Sequence, residues 1–251
     1  MGGAAVPVTG LAEVPAAALA IGAHPADVEF GCGATLARWA AAGCIVHHLV
    51  CTDGSKGTWD PAVDPAVLVA LRRDEQRAAA RALGATGEVV FLGWPDGELE
   101  SGLRQRWEVA HAIRRLRPTV LLGHDPWRRY RLHPDHRHAG FLACDGIVAA
   151  RDPLFFPEQH LEPWRPRTLL LWEADDVDHY EDVTGHTDAK LAALLAHASQ
   201  HRSTMGIDAA DPAAAIAAEA DFRTRVLDRL AICGLAVGVA HAEAFKRIDD
   251  L

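Results

Sequence analysis

Four short apolar runs, each ending abruptly in polar residues and each followed by a helical stretch, constrain this chain more than any other feature. The runs cover residues 17–23, 45–51, 88–92 and 119–123. The first carries no polar alternation, as expected of a strand covered on both faces in a parallel sheet. Helices are expected between them. One follows Gly31 and ends at Gly43. One spans 66–83, with Leu68, Leu71, Ala78, Ala79 and Leu83 able to face a sheet. One spans 102–117 and stops at Pro118, and one begins at Pro134 and runs to residue 150. Four strand–helix units in a row predict an α/β fold: a Rossmann-like parallel sheet flanked by helices. A single domain of residues 1–251 is expected, with its core in 17–150 and a C-terminal strand and helices in 151–251. In that second part the sequence predicts an irregular segment at 151–165, a strand at 167–173, helices at 188–200 and 213–233, and a last strand or turn at 241–247. Residues 1–15 read as a small, flexible, peripheral segment.

Composition narrows the function classes. Of 251 residues, 49% are hydrophobic, enough for a sizeable core, and the formal charge is −9. A chain this acidic lacks the basic face that nucleic acid requires. No run of roughly 18 apolar residues exists, so no membrane span is expected. The Ala-rich start has no basic n-region and is not read as a signal peptide. The five cysteines (Cys32, Cys44, Cys51, Cys144, Cys233) are odd in number and form no C-x-x-C. They read as reduced thiols, which favours a cytoplasmic protein. A homo-oligomer is left open.

In an open parallel sheet, ligands bind outside the carboxyl ends of the strands. Those ends carry a dense polar set here. The first supplies His24, Asp27 and Glu29, the second Asp53, Ser55 and Lys56, the third Asp96 and Glu98. The fourth supplies Asp125, Tyr130, Arg131, His133, Asp135 and His136. His24-x-x-Asp27 at one end and His133-x-x-His136 at another offer two imidazoles and a carboxylate. That donor class suits a catalytic Zn²⁺ with an open position, with Fe²⁺ as the alternative. Only one of His133 and His136 is needed as the third ligand; the other is free for substrate. A nucleotide-binding reading fails because Gly31-Cys32-Gly33 is followed by Leu36 where a G-x-G-x-x-G fingerprint needs glycine.

Five segments in order, AHPADVEFGCGATLARWAAAG (23–43), CTDGSKGT (51–58), LRRDEQRAAARALG (71–84), FLGWPDGEL (91–99) and HDPWRRYRLHPDHRHAGFLACDGI (124–147), resemble the LmbE-like or PIG-L family of zinc-dependent deacetylases. The last stretch is most similar to bacterial and archaeal enzymes that deacetylate N-acetylglucosamine units. The resemblance implies hydrolysis of an N-acyl group, most simply N-acetyl, on a glucosamine-containing small molecule or its conjugate. It implies His24, Asp27 and His136 as metal ligands and His133, when protonated, as the group that stabilises the oxyanion or protonates the amine. It implies Asp135 as the partner that orients His133, and Arg72 and Asp96 as sugar-holding residues. Tyr130 and Arg131, on the fourth edge loop, are further substrate-binding candidates.

One position departs from the family pattern. Where its first motif reads H-P-D-D, with the first aspartate taking a proton from the attacking water, this chain has Ala26. A general base contributes typically about 10²–10⁴-fold. Three explanations follow: a relocated base, for which Asp53 and Glu29 are the candidates, a substitution that traps a complex, or a relative without turnover. The rival functions are a family amidase acting on a thiol or antibiotic conjugate, and a metal- or sugar-binding protein that does not hydrolyse.

Overall fold

The first strand, β1 (Ala17–Gly22), is buried on both faces, and its side chains sort the molecule into two layers. Leu19 and Ile21 point into a core with Val109, Ile113, Leu121 and Leu142. Ala18 and Ala20 point the other way, into a core with Leu36, Trp39, Leu122 and Leu170. This is the period-two consequence of a strand conformation. The computed structural model describes Gly10, residues 13–208 and residues 210–251; most of the segment expected to be peripheral at 1–15 lies outside the described residues.

From β1 the chain runs through α1 (Asp27–Ala41), β2 (Ile45–Thr52), α2 (Pro65–Ala82), β3 (Val89–Trp94), α3 (Leu103–Leu116), β4 (Val120–His124) and α4 (Pro134–Arg151). The expected helix starts hold: Asp64 caps α2 by accepting from the Ala66 N–H, and prolines open α2 and α4. Then come β5 (Thr168–Trp172), β6 (His179–Asp182), α5 (Thr187–Leu195), α6 (Pro212–Val237) and β7 (Ala242–Asp249). The sheet order is β3-β2-β1-β4-β5-β7-β6. Strands β1 to β5 are parallel, while β7 pairs antiparallel with both β5 and β6.

Two expectations are corrected, and one strand was not anticipated. The sheet is mixed rather than wholly parallel. β6, with the sequence His-Tyr-Glu-Asp, has no apolar run to announce it, and it forms through pairing with β7 alone. The helix expected at 188–200 ends at Leu195 and gives way to a 3₁₀ turn (Ala198–Gln200) and a π turn (His201–Met205). Tertiary bonds redirect the chain there: Ser199 donates its N–H and its hydroxyl to Glu75 on α2, and Gln200 Nε2 donates to the Gly57 carbonyl. The tail is a strand, and because β5, β7 and β6 extend the same sheet, residues 151–251 complete the core.

The chain steps outward from β1 to β2 and β3, then crosses back to lay β4 and β5 on the other side of β1. Strand order therefore reverses between β1 and β4, and the crevice at their carboxyl ends is the natural binding position. Close packing seals its floor. A Cβ built on Gly31 of α1 would lie 2.5 Å from Trp172 Cδ2, at the end of β5, and Trp172 is fully buried. Gly31→Ala is therefore expected to lower the unfolding free energy by about 1–3 kcal/mol, the usual cost of overpacking, measured by urea denaturation.

Candidate metal centre and substrate cleft

The loop after β1 folds on itself before α1 begins. The His24 N–H donates to Asp27 Oδ2 at 2.7 Å, and Ala26 takes a left-handed conformation with φ 90°. The Ala26 N–H donates to Gln76 Oε1 at 2.9 Å, and Arg72 Nη2 donates to the Pro25 carbonyl at 2.9 Å. Helix α2 thus holds the loop from one side and fixes the directions of His24 and Asp27.

His136, in the first turns of α4, arrives at the same point from β4. Its Nε2 stands 3.5 Å from Asp27 Oδ1, and His24 Nδ1 stands 3.3 Å from Asp27 Oδ2. Donor atoms of His24, Asp27 and His136 lie within 4.8 Å of one another. Of the two histidines that sequence spacing left open, His136 is the one whose donor atom falls in this group with Asp27. The set fits a divalent cation by its chemistry. Burial pushes the His136 imidazole down to about 4, so its ring is a neutral donor. Burial alone would lower His24 as well, but contacts with Asp135, Asp27 and Asp96 outweigh it and raise its pKa. Positive charge is favoured at this spot. Burial likewise pushes the Asp27 carboxyl up, yet the facing His136, His124 and His24 more than offset it, and it stays well below the usual carboxylate range.

Outer partners orient these groups. Asp135 does not hold His133, as the resemblance implied. Its Oδ2 lies 3.0 Å from His24 Nε2, and it accepts the N–H groups of Gly97 and Leu99. Asp96 Oδ1 also stands 3.2 Å from His24 Nε2. With Nε2 engaged by carboxylates, His24 presents Nδ1 to the centre, the carboxylate–histidine arrangement usual behind metal-ligating imidazoles. His124, at the end of β4, supports Asp27. Trp172 Nε1 donates to His124 Nδ1 at 3.0 Å, so Nε2 carries the proton it directs at Asp27 Oδ2, 3.2 Å away. Sequence reading had no ligand spacing to reveal His124; its position at a strand end was the available signal.

A cavity of about 410 Å³ opens beside the centre, lined among others by the polar side chains Lys56, Arg72, Asp96, His133 and Gln200 and by Ala26. Arg72 and Asp96 thus fall where expected. His133 lies on the wall, its ring 4.7 Å from the rings of both His24 and His136. Burial and the neighbouring His24 lower its pKa, which favours the neutral ring over the protonated one expected.

Four candidates fall elsewhere. Tyr130 is 86% exposed and lines no cavity at the centre. Arg131 is buried behind the site, bonded to Glu173 at 2.8 Å. Asp53 accepts the N–H groups of Ser55 and Asp96, shaping the loop that carries Asp96. Glu29 is fully buried on the far side of Gln76, which donates to it at 2.7 Å, with His48 and His197 within 3.4 and 3.3 Å. Neither proposed replacement for the base reaches the cavity wall.

Comparison with known proteins shows the family. The sequence profile of the PIG-L family, described as GlcNAc-PI de-N-acetylase, matches residues 19–146. The diacetylchitobiose deacetylase of Thermococcus kodakarensis is 34% identical over 185 residues, covering 72% of this chain and 69% of that protein. A 1D-myo-inositol 2-acetamido-2-deoxy-alpha-D-glucopyranoside deacetylase of Kineococcus radiotolerans is 29% identical, over 80% of this chain and 73% of its own length. Among solved structures, the N,N'-diacetylchitobiose deacetylase of Pyrococcus horikoshii, in complex with an inhibitor, superposes with a TM-score of 0.82 at 27% identity, over 94% of this chain and 84% of that one. Fold and site together define an enzyme of the amide-hydrolysing deacetylase class. The chain belongs to the PIG-L family.

Two outcomes test the site's construction. Asp135→Asn is expected to weaken Zn²⁺ binding about 10–100-fold, read by competition with a chromogenic chelator, while circular dichroism stays unchanged. Glu29 sets an acid limit. Burial pushes its carboxyl up, but His197 and His48 hold it well below the usual range. Its stabilisation is therefore complete above the unfolded-state pKa of about 4.3 and fades as pH falls below that value. Glu29→Gln should melt lower than the parent at pH 7, with the gap between the two melting curves narrowing as pH falls below about 4.3 and closing only once pH has passed the lowered folded-state pKa, well below the usual carboxylate range.

Proposed function

We propose that this protein removes the acetyl group from an N-acetylglucosamine-type amino sugar, with Zn²⁺, or alternatively Fe²⁺, held by His24, Asp27 and His136. One observation carries the reading: the His–Asp–His set and the polar cleft bearing Arg72 and Asp96 share one sheet edge, so a single small molecule can touch both. A divalent ion in that set supplies Lewis acidity toward the amide carbonyl and lowers the pKa of the attacking water. Arg72 and Asp96 hold the sugar hydroxyls. Water adds its oxygen to the carbonyl carbon, the C–N bond breaks, and a carboxylate and an amine leave.

The proton has a short route. Ala26 cannot accept it, and Glu29 and Asp53 stand away from the cleft. His133, neutral and on the wall, takes a proton from the water and returns it to the departing nitrogen. One residue then performs both roles that a carboxylate and a histidine would otherwise divide. The free cysteines, of which Cys32, Cys44 and Cys51 are buried, suit a reducing, cytoplasmic setting. No described helix is long and apolar enough to cross a membrane.

Acetate release from diacetylchitobiose should be abolished by chelation and by His136→Ala; undiminished release in that variant would refute the metal assignment. With His133 already serving as the base, Ala26→Asp should leave kcat within about tenfold of the parent; a gain approaching the roughly 10²–10⁴-fold of a general base would show that His133 does not fill that role. Hydrolysis in Ala26→Asp with none in the parent would instead support the rival reading, a binding protein without turnover, which Ala26 itself favours. Equal rates in the two would confirm a base already relocated.

A further inference from the structure

A second and larger cavity, of about 610 Å³, lies on the opposite side of the same centre. Its walls are mostly apolar: Phe30, Trp172, Val177, Phe222, Val226 and Leu230. Asp27, Phe30, His136 and Thr204 line both cavities, so the two spaces meet at the metal centre. Most of the charges on its lining have partners, while Arg229, which also lines it, is exposed to solvent. Lys190 Nζ pairs with Glu243 at 2.6 Å, Glu173 pairs with Arg131, and Arg225 donates to the Met205 carbonyl. This is space for an uncharged, flexible, apolar group.

We infer that this cavity is an acyl-chain subsite, and that the enzyme takes amino sugars carrying a medium-length straight acyl chain in preference to acetyl. The inference rests on the proposed hydrolysis of an N-acyl amino sugar and specifies its acyl half. An amide is planar and trans, so the sugar carbon on nitrogen and the chain on the carbonyl carbon point in opposite directions. A cis secondary amide costs about 2.5 kcal/mol. With the sugar held by Arg72 and Asp96 and the carbonyl at the His–Asp–His centre, the chain is directed away from the polar cleft. The larger cavity is the other space that opens from the centre, sharing Asp27, Phe30, His136 and Thr204 with the cleft. A methyl group would leave nearly all of it empty, whereas each added methylene gains burial against aromatic and aliphatic walls. The reaction is unchanged: water oxygen joins the carbonyl carbon, the C–N bond breaks, and the acyl product leaves as the longer carboxylate.

The test compares N-acetyl-, N-butyryl- and N-hexanoylglucosamine as substrates of the metal-loaded enzyme, reading free amine. The expected result is a rise in kcat/KM of about fourfold per methylene. In Val226→Phe, whose ring intrudes on the cavity, the hexanoyl-to-acetyl ratio should fall tenfold or more. Cys233→Phe, on the same wall, serves if the first variant fails to fold. Acetyl hydrolysis with hexanoyl no better would overturn the inference and leave the deacetylase reading intact. If no substrate is turned over, the deacetylase reading fails, and calorimetric titration with sodium hexanoate decides the subsite. Binding that weakens tenfold in Val226→Phe supports it, and no binding in the parent overturns it.

Discussion

The carboxylate of Asp135 joins three strand ends, and the site depends on that joint. It sits in the first turn of α4, after β4, with no exposure to solvent. It meets His24, which follows β1, and accepts two backbone N–H groups from the loop after β3. A buried carboxylate without such partners would be strongly destabilising. Folding the sheet edge and satisfying Asp135 are thus the same event. The ring plane of His24 follows from it, so the ring that we propose as a metal ligand is oriented by the requirements of the core.

A second network holds the loop that carries Ala26. A left-handed conformation at a residue with a Cβ costs roughly 1–2 kcal/mol, and Ala26 adopts it with φ 90°. Gln76 on its N–H and Arg72 on the Pro25 carbonyl keep the turn closed. Gln76 is itself anchored by Glu29 and His48 at 2.7 and 3.2 Å. Aspartate enters the left-handed region more readily than alanine, so the backbone here suits the carboxylate seen in the family pattern. Ala26 offers no proton acceptor, while the bonds that hold this turn closed remain in place.

Most of this architecture is written locally. The runs that became β1, β2, β4 and β5 are apolar because both faces of each are covered, and His24, Asp27 and His136 follow strands whose ends can be read from the chain. β6 was invisible because its stability comes from β7, not from its own composition. The partner of Asp135 was misassigned for a related reason. His133 is its neighbour in sequence, but α4 turns the carboxylate toward β1 and β3, and only the folded chain shows that His24 is the ring it meets. Tyr130 and Arg131 sit side by side in the edge loop, yet a positive φ of 61° at Tyr130 sends one ring to solvent while Arg131 turns inward to Glu173. Residue type at a strand end signals a site; direction within a loop is set by bonds to distant elements.

The same bonds decide where a cation can go. Among the described residues, three overlapping groups bring donor atoms close enough to hold an ion: His24, Asp27 and His136; His24, Asp96, His133 and Asp135; and His124, His136 and Glu173. The second is already engaged, since Asp135 accepts from Gly97 and Leu99 and Asp96 accepts from the Lys56 N–H. The third already has a cation. Arg131 Nη1 lies 2.8 Å from Glu173 and 3.3 Å from His124 Nδ1, so a metal ion there would meet like charge. Only the first set leaves a carboxylate and two imidazoles facing one another with their outer sides supported. Asp135 behind His24 and His124 behind Asp27 favour, of the three, the set that we propose to hold the ion, and that set lines both cavities through Asp27 and His136.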